Sequence, residues 1–316
     1  MSIAQKTETE TAAAAPIKAD KMPFGRWFRL VGWRHIVAVV FVVWAIFPAF
    51  YLITLAFSGG NTLTGACPPE KQGLAALSCL LPSKISLDNF TDILTSDQWP
   101  FVTWFSNTLI IATLNSFMAL LMGAAAAFAF SRLRFTGRRT GLLLLMLVQM
   151  FPPVLAITAI YTLLRQILDV YPTFGLGTIW GLMLVYLYFQ VPLMVIVFLP
   201  AVEGLRPQWR EATETLGGTT WTFWRRVAGP ILLPSFVGAM LLLFTNAFSA
   251  YATAKALISQ GTPLLPLQIA GTLSSEVILG QENVGKAMAL AMIVVVALVM
   301  TAYVFLDRRA SRWMQR

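Results

Sequence analysis

Charge, histidine and cysteine are all scarce in this chain. Of its 316 residues, 12% are Asp, Glu, Lys or Arg, two are Cys, and His35 is the lone histidine. One histidine without clustered partners builds no metal centre, which needs three or four converging ligands, so no metal site is assigned. No nucleophile stands beside a base, and no carboxylate pair sits in an apolar stretch, so no catalytic residue is assigned either. No acid or base falls deep inside any long apolar run, which argues against proton or ion coupling within the chain and against a secondary transporter. Gly280–Ala287 approaches a phosphate-binding loop but fails as one. Ala287 stands where Ser or Thr would hold Mg²⁺, and no strand precedes the segment. No nucleotide or other cofactor is therefore expected in this chain. A cleaved signal peptide is not expected, because the first apolar run starts late and is long.

Apolar side chains are abundant instead: 57% of the residues are hydrophobic, a balance that fits a polytopic membrane protein. Six runs approach the ~20 residues needed to cross a hydrocarbon core: 36–57, 105–130, 141–165, 177–199, 231–257 and 286–306. The chain carries a net charge of +9, and placement explains it. Of 23 Lys and Arg, 18 fall in four segments: Lys6 to Arg34, Arg132 to Arg139, Arg206 to Arg226, and Arg308 to Arg316. Basic residues gather on the cytoplasmic side of membrane proteins. The bias predicts cytoplasmic N and C termini in a multi-pass membrane protein, and speaks against nucleic acid as a partner. The expected fold class is all-α, with six transmembrane helices.

In chain order, residues 1–35 read as a disordered segment leading into a basic, aromatic stretch lying on membrane lipid, and 36–57 is the first span. An exterior loop, 58–104, follows. It holds Cys67 and Cys79, which outside the cytosol either pair or stay free. Within it, Ile85–Leu94 predicts a short helix capped by Ser86, with Asp88 in the first turn. Residues 105–306 form the core, and 307–316 a basic tail. Pro152 and Pro153 in the third span, and Pro192 in the fourth, predict kinks. Those bends either pack the bundle or shape a path through it.

Between the fourth and fifth spans lies Arg206–Pro234, RPQWREATETLGGTTWTFWRRVAGPILLP, which is polar, basic and aromatic. Pro207 suits the first turn of a helix, and Gly217 and Gly218 suit its end. Thr219 or Thr220 can cap a second helix before Pro230 and Pro234 lead into the next span. By composition alone this is an interfacial amphipathic loop. Glu211-Ala212-Thr213, three residues, Gly217, nine residues, then Val227-Ala228-Gly229-Pro230 resembles the EAA loop of ABC-importer permeases, E-A-A, three residues, G, nine residues, I-x-L-P. Thr213 departs from the second alanine of that pattern, and Gly229 from the leucine. The resemblance implies that segment 206–230 is a coupling helix docking on a cytoplasmic ATPase subunit through Glu211, Ala212, Thr213, Leu216 and Gly217.

Other stretches narrow the resemblance. Ala129–Gly137 (AFSRLRFTG) resembles a turn common in sugar-importer permeases. Gln149–Leu155 (QMFPPVL), Gly59-Gly60-Asn61 with Gly65, and Tyr171–Leu176 are similar to stretches of the MalG-type permeases of maltose and maltodextrin importers. The resemblance covers residues ~36–306, nearly all of the membrane part, and implies a bacterial inner membrane as its location. It implies the type I ABC-importer permease fold of the MetI-like family. The partners it implies are a second homologous permease, two ATPase subunits that bind ATP and Mg, and an external solute-binding protein. It makes maltose, maltodextrin or a related oligosaccharide the expected cargo, with another sugar, a polyamine or a phosphonate as the alternative. It also implies that segment Ser259–Gly285 contacts the binding protein. Among the polar groups within the spans, Asn115, Gln149, Tyr186, Gln190, Asn246 and Tyr251 are the best candidates for contact with solute. Each must face protein or a wet path, as helix–helix hydrogen bonds or as contacts for a neutral, hydroxyl-rich solute.

Overall fold

The computed structural model describes residues 25, 28, 32–58, 85–258, 263–273 and 282–314. Cys67, Cys79, the Gly59–Gly65 stretch and most of segment 1–35 lie outside them. The chain divides into two units, Met1–Phe50 and Tyr51–Arg316. Among the described residues, the first unit is the larger part of α1 (Trp33–Ala56), whose side chains are exposed as far as Tyr51. A helix bearing Val39, Phe41, Val43 and Trp44 on open surface is stable only in an apolar medium.

In the second unit the elements run α2 (Asp88–Thr95), α3 (Phe101–Arg132), α4 (Arg138–Met150), α5 (Pro153–Val170), α6 (Ile179–Glu203), α7 (Pro207–Thr215), α8 (Thr220–Phe248), α9 (Tyr251–Ile258), α10 (Leu265–Leu273) and α11 (Glu282–Met314). Among the described residues, five helices are long and apolar enough to span a membrane: α1, α3, α6, α8 and the Asn283–Ala302 part of α11. The pair α4 and α5 supplies a sixth crossing if taken as one broken span.

Helix α3 is the spine. Its buried residues, Trp104, Thr108, Ile111, Ala112, Asn115, Ser116, Ala119, Leu120, Gly123 and Ala127, recur at three- and four-residue steps and form one stripe. Alanine, serine and glycine dominate that stripe, which lets backbones approach closely where lipid gives no hydrophobic drive. At Gly123 a Cβ would collide with the Met194 side chain of α6. Around this seam Leu120, Met194, Val195, Phe198, Leu232 and Leu243 make one buried cluster, and Ile111, Leu182, Tyr186, Phe248 and Leu257 belong to a second.

Three expectations change on contact with the structure. The third span is a break, not a kink: α4 ends at Met150, Pro152 is extended, and α5 leaves at 101° to α4. Two successive prolines remove two donors, and the residue before a proline is pushed out of helical geometry. Pro192, by contrast, is accommodated inside a continuous α6. The fifth span stops at Phe248, and Tyr251–Ile258 is a separate helix. Ser86 does not cap α2 from the N-cap position, which is Leu87; its Oγ accepts from Asp88 N–H at 3.0 Å instead. The WTFWRRVAG segment leads directly into the span after it, since α8 runs through both.

Candidate functional site

Helix α7 opens with Pro207 at its first position and closes on Gly217, whose φ of +76° favours glycine. The closing turn is hydrogen-bonded from Leu216 N–H to Ala212 O (3.1 Å), Gly217 N–H to Glu214 O (3.0 Å) and Gly218 N–H to Thr213 O (2.8 Å). Thr219 then starts α8 with a reciprocal cap, accepting from Thr222 N–H while Thr222 Oγ1 accepts from Thr219 N–H. Of the five motif residues, Glu211, Ala212, Leu216 and Gly217 are exposed, and Leu216 is 88% so. Thr213 is half-buried and donates to Trp209 O at 2.8 Å. Nearby, Trp221 is 72% exposed. Large apolar side chains displayed from a polar hairpin are what a docking surface offers a partner.

The hairpin stands on a rigid base. Trp209 and Trp224 pack on the lower core cluster, Phe223 is buried in it, and Trp224 meets Phe128 edge to face at 5.5 Å. Arg132 donates to Val202 O (3.0 Å) and to Leu205 O, tying the end of α3 to the end of α6. Arg138 pairs with Glu203 at 3.3 Å, and Gly137, at φ +91°, turns the chain from the AFSRLRFTG stretch into α4. Arginine spacing alone did not reveal the clamp, because both carbonyls it reaches lie about seventy residues away.

The six polar span residues do not form one cluster. Asn115 Nδ2 donates to Gln190 Oε1 at 2.7 Å, and Gln190 Nε2 donates to Leu243 O at 3.0 Å, so both amides are buried and bind α3, α6 and α8 together. Gln149 Nε2 donates to Phe189 O at 3.0 Å, joining α4 to α6 just before the break. Tyr186 donates to Ala250 O at 3.1 Å, bracing α6 against the junction where α8 ends and α9 begins. Asn246 is exposed, and Tyr251 is half-buried with the Lys255 ammonium 5.4 Å from its ring centre. Tyr251 lines an open, largely apolar cavity of about 600 Å³ with Thr245, Phe248, Pro266 and Met292.

Three further positioning residues carried no sequence signal. Asn89 is buried and donates to Ala56 O (3.0 Å) and Ser58 O (2.9 Å), closing the C-terminal end of α1. Thr108 Oγ1 accepts from Leu265 N–H at 2.9 Å, and Asn107 donates to Pro263 O at 3.3 Å, so α3 holds the start of α10. The near phosphate-binding stretch is helical from Glu282, and Gly285 there lets Thr272 of α10 pack against α11. No cluster of three metal-binding side chains occurs among the described residues.

Residues 119–314 match the family described as binding-protein-dependent transport system inner membrane component. The maltose/maltodextrin transport system permease protein MalG of Vibrio vulnificus (strain YJ016) is 31% identical over 225 residues, covering 71% of this chain and 75% of that protein. MalG of Escherichia coli (strain K12) is 26% identical over 224 residues with the same coverage. Among solved structures, a chain of a bacterial ABC transporter involved in import of the acidic polysaccharide alginate superposes with a TM-score of 0.63. It shares 20% identity and covers 88% of this chain and 96% of its own. A chain of the MetNI methionine ABC transporter has a TM-score of 0.53 at 17% identity, covering 67% of this chain and 97% of its own.

Proposed function

This chain belongs to the family of binding-protein-dependent transport system inner membrane components, and we propose that it is the permease subunit of an ATP-driven importer for maltose, maltodextrin or a related oligosaccharide. The observation that carries the coupling half of this reading is the α7 hairpin, rigidly seated yet displaying Glu211, Ala212, Leu216 and Trp221 with no internal partner for the apolar pair. It faces the cytoplasm, where positive charge gathers, and fits a cleft on an ATPase subunit. Two such subunits bind ATP and Mg; this chain hydrolyses nothing. A second homologous permease completes the pore, and an external binding protein delivers the solute.

Closure of the ATPase pair pulls α7, and because the hairpin is packed on the α3–α6–α8 core, the pull turns the bundle rather than bending a loop. The solute reading rests on the likeness to MalG and on the neutral character of the span polar groups, which suits hydroxyl-rich cargo. Asn246 and Tyr251 are the two candidates whose side chains remain open for solute, since Asn115, Gln149, Tyr186 and Gln190 spend hydrogen bonds on neighbouring helices.

Calorimetric binding of a sugar panel to the external binding protein of the same system tests the cargo. Selective binding of maltose or α-glucosides is the expected result; selective binding of a polyamine or phosphonate overturns the sugar while leaving the coupling mechanism intact.

A further inference from the structure

Between the docking hairpin and its membrane span, the backbone is not α-helical. Residues Trp224–Ala228 form a π-turn, closed by Gly229 N–H donating to Trp224 O across five residues instead of four. A π-turn is one residue inserted into an α-helix, and such turns persist only where the local sequence tolerates them. Two residues permit it here. A Cβ on Gly229 would lie 2.7 Å from Trp224 O, closer than a carbon and an oxygen can sit, so only glycine fits the wide turn. Pro230 follows at once; it has no N–H to give, and its ring would press on the Arg226 carbonyl in a continuous α-helix. Gly229 is also where this chain departs from the leucine of the EAA pattern. An apolar cavity of about 330 Å³, lined by Ala124, Phe128, Phe198, Trp224, Gly229 and Phe236, flanks the turn and leaves it room to change form.

We infer that Gly229 is a positioning residue for coupling: by holding the π-turn, it sets the rotational register between the ATPase-docking hairpin and the span α8. The inference rests on the proposed coupling role of α7. One residue of an α-helix turns ~100° and rises ~1.5 Å. Losing the turn therefore swings Trp221 and the whole α7 hairpin around the α8 axis, unless the core shifts to compensate. Glu211, Leu216 and Trp221 would then point away from the direction in which they are presented.

The test uses the complete transporter in proteoliposomes and measures solute imported per ATP hydrolysed. Gly229→Ala, which bars the π-turn, should lower that ratio about tenfold, within the usual span of coupling energies between sites. Gly229→Ala and Pro230→Ala combined with deletion of Arg226 remove both the extra residue and the ring that a continuous α-helix cannot take, so an α-helical joint again meets the hairpin in its original register; this variant should import near the wild-type ratio. Recovery by deletion is what a register role predicts, because a merely destabilising substitution gains nothing from losing a further residue. Normal coupling by Gly229→Ala overturns the inference, and so does failure of the deletion variant to improve on it, whether the failure is in assembly or in transport. A wild-type complex that hydrolyses ATP without importing would instead overturn the proposed function.

Discussion

The middle of the bundle and its basic end treat polarity in opposite ways. At the middle, Asn115 and Gln190 are hidden and hydrogen-bonded across three helices, while leucines and valines face outward. At the α7 end, Leu216 and Trp221 are displayed, and the polar groups are satisfied locally, as in the 2.9 Å Arg210–Glu214 pair one turn apart. Lipid explains the first arrangement, since an apolar solvent rewards buried amides and tolerates exposed leucine. The second is polar and basic in sequence, so exposed apolar groups there are what the proposed docking on a partner would cover.

The sharpest break of this contrast is at the hairpin. Leu216→Asp with Trp221→Asp should cost ATPase docking at least about 2 kcal/mol, as loss of central interface side chains does, with the thermal midpoint of the isolated permease unchanged; co-purification of the ATPase from membranes reads it out. Undiminished co-purification would remove the apolar pair from the interface. Glu211→Lys should follow, lowering uptake about tenfold through reversed charge at the contact, measured in the same vesicles. Normal uptake by that variant defeats the assigned role of Glu211.

At the middle, Gln190→Leu strands the Asn115 amide and removes the second hydrogen bond to the Leu243 carbonyl, and should destabilise the permease by about 1–2 kcal/mol in detergent unfolding. Adding Asn115→Leu should return part of that loss, because an apolar pair leaves no stranded amide and the Leu243 carbonyl keeps its bond within α8. If both variants also abolish solute import while stability is kept, the two amides touch solute and are more than struts. Gly217→Ala forces a left-handed residue to carry a Cβ and should cost about 1 kcal/mol, localised to the hairpin by amide exchange. Arg210→Ala should change stability least, by about 0.3–0.5 kcal/mol, since an exposed pair one turn apart is screened by water and salt.

Much of this contrast was legible before any coordinates. Long apolar runs identified the spanning helices, because only a helix satisfies its own backbone in lipid. Pro207 and Gly217 bounded α7 for local reasons of φ and missing donors, and the structure agrees. Span three was misread because periodicity shows that a segment is apolar and says nothing of direction; two prolines sufficed for a 101° turn. The join within Thr220–Phe248 carried no such error, but its pitch was not legible: Gly229 closes a π-turn over Trp224–Ala228 that carries the helix into the span. Among candidate path residues, polarity within a span was readable, but not its use.

Sequence alone determined that this chain lives in a membrane, which ends are basic, and where a short helix with a glycine stop interrupts the apolar runs, because these follow from solvent, charge and local backbone preference. Only tertiary structure decided that Asn115 meets Gln190 75 residues on, that Arg132 grips the end of α6, and that Gly229 holds a turn of the wrong pitch. Each of those depends on which helices lie side by side, and neighbours are chosen by packing rather than by the order of the chain.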